Sequence, residues 1–260
     1  MSKIGLNIGR ILTYFNYMLN ELITSIQKQS LQDITYFGYD RCVLKKMAQN
    51  AVLTKSPHDY QDVIVAILRW GGLHLGIQSS LYKKALKSIP QKINNIITAL
   101  ALPNVKDRFD AFNLKGSAKI DGVGPSFFTK IIFFFDSTNA IILDKWISYS
   151  LFSIFDSMQN NPVSSEIYGY KPTYSPTRKE LKFSRTTKSS DYVNAINDIA
   201  LLRTQLSTTF PQISIEDVEM ALFSQGRGKG IWRIKVAEYM ENFLRNSSVA
   251  KGKTISKFIL

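Results

Sequence analysis

Hydrophobic and polar positions alternate along most of this chain with a helical period. Ile4, Ile8, Ile11, Leu12, Phe15, Leu19, Leu22, Ile23 and Ile26 recur every three or four residues and predict an amphipathic helix. Its polar face carries only modest positive charge, so it reads as a core helix and not as a membrane-surface one. Arg10 and Asn16 interrupt the apolar residues and no small-residue cleavage site follows, which argues against a signal peptide. Over residues 59–70, Val63, Ile64, Ile67 and Leu68 make a second stripe. Asp59 is its expected N-cap, and Gly71-Gly72 its expected stop. Residues 90–101 predict a helix with Pro90 near its start. Ser214 opens another over 214–223, with Asp217 three residues on, close to a capping box. Ile234, Val236, Tyr239, Met240, Phe243 and Leu244 predict a last helix over 231–244. Only Ile34 to Tyr39 reads as extended, and no array of hairpin turns exists. The expected fold class is all-α.

Composition narrows the function. The chain has 260 residues, long enough for a large core, and its 45% apolar and 12% aromatic content excludes a disordered tail. The densest apolar run, Ile131 to Phe135, is far short of the roughly 20 residues a spanning helix needs, so no membrane partner is expected. Cys42 is the single cysteine, which forbids an internal disulfide and any multi-cysteine zinc or iron–sulfur site. The only histidines are His58 and His74, so neither a metal nor another cofactor is expected. This cysteine usage fits a reducing cytoplasm.

The charge points to a partner. Lys and Arg number 33 against 20 Asp and Glu, a net +13. A basic surface attracts polyanions, nucleic acid first, because neutralising phosphates releases counterions. Charge by itself leaves a basic protein without DNA affinity equally open. Residues 159–191 add to the excess: Pro162, Pro172 and Pro176 break helices, and Lys171, Arg178, Lys179, Lys182, Arg185 and Lys188 outnumber Glu166, Glu180 and Asp191. This stretch reads as a DNA-contacting loop or a solvated linker. No internal repeat is apparent, and the basic tail 251–260 is expected to fray.

The chemistry concentrates in residues 119–147, KIDGVGPSFFTKIIFFFDSTNAIILDKWI. Gly122-Val123-Gly124 predicts a tight hairpin between two helices, with Pro125 in the first turn of the second. Glycines there let a phosphate approach backbone amides at a helix N-terminus, the arrangement for sequence-independent duplex binding, so Gly122, Val123, Gly124 and Ser126 are the expected DNA contacts. A helix over 126–135 carries Lys130. The turn Asp136-Ser137-Thr138-Asn139 and the apolar run Ala140 to Leu143 lead to Asp144, placed to cap a helix starting at Lys145-Trp146-Ile147. A lysine inside FFTKIIFFF is out of pattern for a solvated side chain. Gly226-Arg227-Gly228-Lys229-Gly230 reads as a phosphate clamp or a bland exposed loop. It is not a P-loop, because no G-K-[ST] closes it.

These residues resemble the helix–hairpin–helix DNA glycosylase superfamily. GPSFFTKIIFF followed by ILDKW is similar to the 8-oxoguanine-glycosylase-like branch found in bacteria, and DVEMALFSQGR is similar to the same branch. The likeness covers residues 105–155 and extends over 190–228. It implies double-stranded DNA as partner, no metal, no obligatory protein partner and a bacterial cytoplasmic home. It also implies two helical subdomains with the active-site cleft between them. On this reading residues 1–100 are an N-terminal helical subdomain and 101–160 the hairpin and catalytic segment. Residues 161–190 are then a basic linker and 191–260 a C-terminal helical region. In the well-known 8-oxoguanine enzymes a lysine stands two residues after the second hairpin glycine. That place is Ser126 here, and Lys130 lies four residues further on the same helix face. The resemblance therefore carries the nucleophile role to Lys130 and the carboxylate role to Asp144.

That pair fits base excision. Breaking the bond at the anomeric carbon builds positive charge on the sugar, which a carboxylate stabilises. A neutral amine attacks the same carbon and forms an imine that can go on to eliminate phosphate. The amine must lose its proton well below its ordinary pKa of about 10.4, and burial among Phe127, Phe133 and Phe134 would help. The base must leave the stack; Trp70, Phe127, Trp146 and Trp232 are the candidates to hold it. Two substrates stay open: oxidised guanine, and a hypermodified phage base such as glucosylated hydroxymethylcytosine. The latter would be met in anti-phage defence, and a Lys-, Asn- and Ile-rich composition fits a mobile, AT-rich gene. A non-enzymatic DNA-binding module and a protein-interaction scaffold are the remaining alternatives.

Overall fold

The computed structural model describes residues 20, 22–24, 39–144, 146–148, 150–151, 170–175, 180–185 and 188–226. These residues form helices α1 (Arg41–Thr54), α2 (Pro57–Trp70), α3 (Ser79–Leu100), α4 (Val105–Phe112) and α5 (Pro125–Phe135). The strands β1 (Tyr170–Ser175) and β2 (Glu180–Arg185) and the helices α6 (Ser189–Leu206) and α7 (Ile215–Gly226) follow. Residues 146–148 and 150–151 are also helical. Of the expected N-terminal helix, the described residues Asn20 and Leu22 to Thr24 are helical, and Leu22 is fully buried. The rest of it, Ile34 to Gly38, the expected helix over 231–244 and the tail 251–260 lie outside the described residues.

Two compact bodies divide the chain. One comprises Leu31–Asp144 and Lys188–Ile196, the other Met1–Ser30, Lys145–Thr187 and Asn197–Leu260. In the first, α5 is the centre. Phe127 to Phe134 are all buried, as expected of a helix that is apolar all round. Helices α1, α2 and α4 pack against it. Phe128 meets Phe109 and Phe112 of α4 with ring centroids 4.8 and 6.0 Å apart, and Phe135 stacks on Tyr60 of α2 at 5.2 Å. Each such ring removed from water contributes about 1.5–3 kcal/mol, which sets α5 firmly in place.

Local caps explain the element boundaries. The N-cap of α2 is Ser56 and not Asp59: the Ser56 Oγ accepts from the Asp59 amide at 3.4 Å, and Pro57 takes the first helical position. The Asp59 carboxylate instead accepts from the Thr54 hydroxyl at 2.6 Å. At the other end the Leu73 amide reaches the Leu68 carbonyl and the Gly72 amide the Arg69 carbonyl, with Gly72 left-handed at φ +81°. This is a Schellman closure, so the glycine pair does stop the helix.

Helix α3 starts eleven residues before Pro90, which sits inside it. The buried stripe Ala85, Ile89, Ile93, Ile96 and Leu100 runs straight across the proline, whose own position is exposed. Burial of that stripe outweighs the roughly 3 kcal/mol an interior proline costs.

In the second body Ser214 and Asp217 form a capping box: the Asp217 amide donates to Ser214 Oγ at 3.1 Å and the Ser214 amide to the Asp217 carboxylate at 2.9 Å. The Ser150 hydroxyl donates to the Leu222 carbonyl at 2.7 Å. The basic connection is not a bare loop. Its strands pair antiparallel from Tyr170 opposite Arg185 to Ser175 opposite Glu180. The signal is the period-two alternation of Tyr170, Pro172 and Tyr174 with Leu181 and Phe183 across the ladder, obscured by the prolines. Pro172 is tolerated because each strand of the ladder has, among the described residues, one side without a partner strand.

Candidate active site

The candidate site begins with one polar side chain in an apolar helix. Lys130 lies on α5 with only 8% of its side chain exposed. Helical side chains lean toward the N-terminus, and the Lys130 Nζ donates to the Ser126 carbonyl at 2.7 Å, one turn back. The amine thus arrives at Ser126, the place where the resemblance puts the lysine. The Phe127 ring lies 5.4 Å from it. Of the other two phenylalanines expected around the amine, Phe133 faces Arg41 and Lys45 at 5.3 and 5.5 Å, and Phe134 meets Trp70 edge-on at 5.2 Å.

Asp144 comes to the same place. Its Oδ2 is 3.9 Å from Lys130 Nζ and its side chain is 9% exposed. The extended run Ala140 to Leu143 delivers it, and two hydroxyls fix that run. The Leu143 amide donates to Thr129 Oγ1 at 3.2 Å, and that hydroxyl donates to the Pro125 carbonyl at 2.8 Å. Tyr192, fully buried on α6, accepts from the Ile141 amide at 3.2 Å and donates to the Ile141 carbonyl at 2.7 Å. Thr129 precedes Lys130 and Leu143 precedes Asp144, so one hydrogen bond aligns the two charged residues. Sequence reasoning missed both hydroxyls. Thr129 could have been read as the second polar residue of an apolar helix, whereas nothing local marks Tyr192.

A third missed residue is Gly71, read from sequence only as a helix stop. A Cβ there would lie 3.0 Å from Lys130 Cδ and 3.3 Å from Phe127 Cδ1 and from the Ile67 carbonyl oxygen. Its φ of −70° suits any residue, so the glycine is needed for closeness and not for backbone freedom. Gly71→Ala should leave stability within about 1 kcal/mol. It should slow base release roughly tenfold or more by displacing the lysine stem, as sub-ångström misplacement of a reacting group does. Single-turnover rates beside a melting curve test this.

The hairpin stands on its own supports. The Val123 amide bonds the Ile120 carbonyl at 3.1 Å, with Gly122 at φ +80°, a type II turn. It is less tightly bounded than expected, since α4 ends at Phe112 and residues 113–124 separate it from α5. Helix α3 holds this loop. The Asp121 amide donates to Ser88 Oγ at 3.1 Å, Lys92 Nζ to the Lys119 carbonyl at 2.7 Å, and Asn95 Nδ2 to the Ser117 carbonyl at 3.1 Å. Ser88, Lys92 and Asn95 recur at helical spacing, one polar stripe along α3. The amides of Gly122, Gly124 and Ser126 donate no hydrogen bond among the described residues. Two of them, Gly124 and Ser126, lie at the start of α5 and Gly122 in the turn just before it, and amides left over there suit an anion.

The other expected residues fall in different places. Trp70 is half-buried, with the Arg41 guanidinium 5.7 Å from its ring; its indole N–H is buried with no acceptor among the described residues. Trp146 is half-buried in the second body. Arg227, Lys229 and Trp232 lie outside the described residues. Among the described residues no group of three or more His, Cys, Asp or Glu could hold a metal ion, and no helix is long and apolar enough to cross a membrane.

No curated protein and no solved structure matches this chain. One protein family does, over residues 28–223: the family described as "Putative 8-oxoguanine DNA glycosylase OGG-like protein". That span covers Lys130, Asp144, the hairpin and Tyr192, and more than half of the chain. The described residues are predominantly helical and built around a helix–hairpin–helix segment, and the chain is a DNA glycosylase that belongs to the OGG-like family.

Proposed function

We propose that this DNA glycosylase acts through Lys130 and Asp144 on a nucleotide extruded from duplex DNA. The observation that carries the proposal is the buried pair, 3.9 Å apart, with each partner positioned by the backbone of α5 and its neighbours. Groups at that separation can flank a single carbon. The Lys130 nitrogen forms a bond to C1′ as the bond from C1′ to the base breaks, and the base departs with the electron pair. The Asp144 carboxylate faces the positive charge that builds on the sugar. Loss of the amine proton and opening of the sugar give an imine, from which the 3′ phosphate can be eliminated, a lyase step. Phe127 lies beside the amine and is the ring best placed to contact the base. The Gly122, Gly124 and Ser126 amides receive a backbone phosphate.

For substrate the proposal favours a hypermodified phage base, such as glucosylated hydroxymethylcytosine, over oxidised guanine. The support is that the amine is carried by a residue one turn beyond the position usual in 8-oxoguanine enzymes, so that the lysine stem occupies the turn between Ser126 and Lys130 and reshapes that wall of the pocket, together with a Lys-, Asn- and Ile-rich composition that fits a mobile, AT-rich gene. The test is a screen for free bases by mass spectrometry, run on phage genomes carrying modified cytosine and on oxidised host DNA. Borohydride is added in parallel to trap the imine. Release from the phage DNA with a trapped adduct is expected. Release from oxidised DNA alone would reassign the substrate, and salt-dependent binding without release from either would remove the catalytic reading.

A further inference from the structure

Between Asp62 and Asp107 the sequence has no acidic residue, and α3 supplies four lysines within that stretch: Lys83, Lys84, Lys87 and Lys92. Lys92 is committed to the hairpin loop through the Lys119 carbonyl, while Lys83, Lys84 and Lys87 are exposed. Helical geometry orders the surfaces of α3. Ala85, Ile89, Ile93 and Ile96 make the buried face. Next to it runs the stripe that carries the hairpin: Leu81, whose carbonyl lies against Gly122, then Ser88, Lys92 and Asn95. On the far side of that stripe come Lys84, three residues from Leu81 and four from Ser88, and then Lys87. Lys83 lies further round, away from the hairpin.

We infer that Lys84 and Lys87 extend the hairpin's phosphate contact, taking the duplex backbone next to the phosphate held by the Gly122, Gly124 and Ser126 amides. The inference rests on the proposed role of the hairpin. Two observations carry it: the lysine face is contiguous with the stripe that grips the hairpin, and no carboxylate on α3 competes with a phosphate for these amines. The contact reads no sequence, since lysine engages phosphate as a point charge.

Counterion release gives the test. Each phosphate contact on duplex DNA contributes about 0.9 to the slope of log affinity against log salt. Binding of the full chain to an unmodified duplex is measured by fluorescence anisotropy over a range of salt. The variants are Lys84→Gln/Lys87→Gln and, as a control with the same change in net charge, Lys46→Gln/Lys55→Gln. Melting curves establish that both are folded. Lys46 and Lys55 are exposed and lie on or just after α1. The inference predicts a slope lower by about 2 for the first variant, with at least a tenfold weaker affinity at moderate salt, and an unchanged slope for the control. Equal slopes in both variants, whether lowered or not, overturn it while leaving the hairpin reading intact. A wild-type protein without salt-dependent duplex binding would overturn the hairpin reading itself, and this inference with it.

Discussion

Lys130→Gln is expected to abolish borohydride trapping and lower base release at least a thousandfold, while the protein stays folded and still binds duplex DNA. The rate loss follows from removing the only atom proposed to bond to C1′. Deleting a nucleophile typically costs several orders of magnitude and leaves a residue of catalysis from binding and electrostatics. The expectation about stability is what separates this role from a structural one. The Lys130 Nζ bond to the Ser126 carbonyl is a local contact within α5, worth about 1 kcal/mol net. Against it stands the cost of keeping an ammonium on a buried stretch of α5 beside the Phe127 ring, where burying an ion costs several kcal/mol before its partner repays it. Glutamine removes that cost and can keep a hydrogen bond. Its melting temperature should therefore stay within a few degrees of wild type, in either direction. A lysine serving only to anchor Asp144 would show the reverse pattern, a large loss of stability and intact base release. The companion Asp144→Asn should slow release and still permit trapping, because asparagine keeps the shape and removes the charge facing the sugar. Full activity in Lys130→Gln would remove the lysine from the chemistry.

The nearness of the proposed catalytic pair was legible in the sequence because its surroundings are local. A lysine inside FFTKIIFFF, one turn after a glycine hairpin, violates the apolar pattern of its own helix, and such violations mark function. Asp144 was legible as a cap from its place before Lys145-Trp146-Ile147, and as the partner of Lys130 only through the family resemblance. What holds the two together was not. Thr129 looks like an ordinary helical threonine until Leu143 arrives beside it, and Tyr192 acts from 51 residues beyond Ile141. Gly71 was read for its local effect on α2, whereas its closeness to the Lys130 stem depends on how α2 packs against α5. The sequence places the start of α3 too late because a proline suits the first turn of a helix, and the buried stripe that carries the helix through Pro90 becomes evident only with α2 and α4 packed alongside. The hairpin at 170–185 escapes the sequence for a related reason: its alternation is short, and Pro172 and Pro176 mask it.

The two glycines of Gly122-Val123-Gly124 look alike in sequence and should fail differently. Gly122 holds φ at +80°, and a Cβ on it would stand 2.5 Å from the Leu81 carbonyl oxygen, a backbone atom that cannot step aside. Gly122→Ala combines about 1–2 kcal/mol of left-handed strain with that clash, so a total loss of about 3 kcal/mol is expected. For a chain of this size the melting temperature should fall by roughly 6–12 °C, and DNA affinity should fall too, because the turn lifts off α3. Gly124 is different. It is the N-cap of α5 with φ −98° and ψ 179°, extended backbone open to any residue, so nothing in its conformation requires glycine. What a side chain there would obstruct is the approach of a phosphate to the Gly124 and Ser126 amides. Gly124→Ala should leave the melting temperature within about 2 °C, since an N-cap change from glycine to alanine costs a few tenths of a kcal/mol or a little more. It should weaken duplex binding about tenfold, the equivalent of 1.4 kcal/mol. Melting curves and duplex titrations on the two variants decide it. An unchanged affinity in Gly124→Ala would mean that no phosphate comes close to those amides, and the DNA contact would then have to lie elsewhere on the protein.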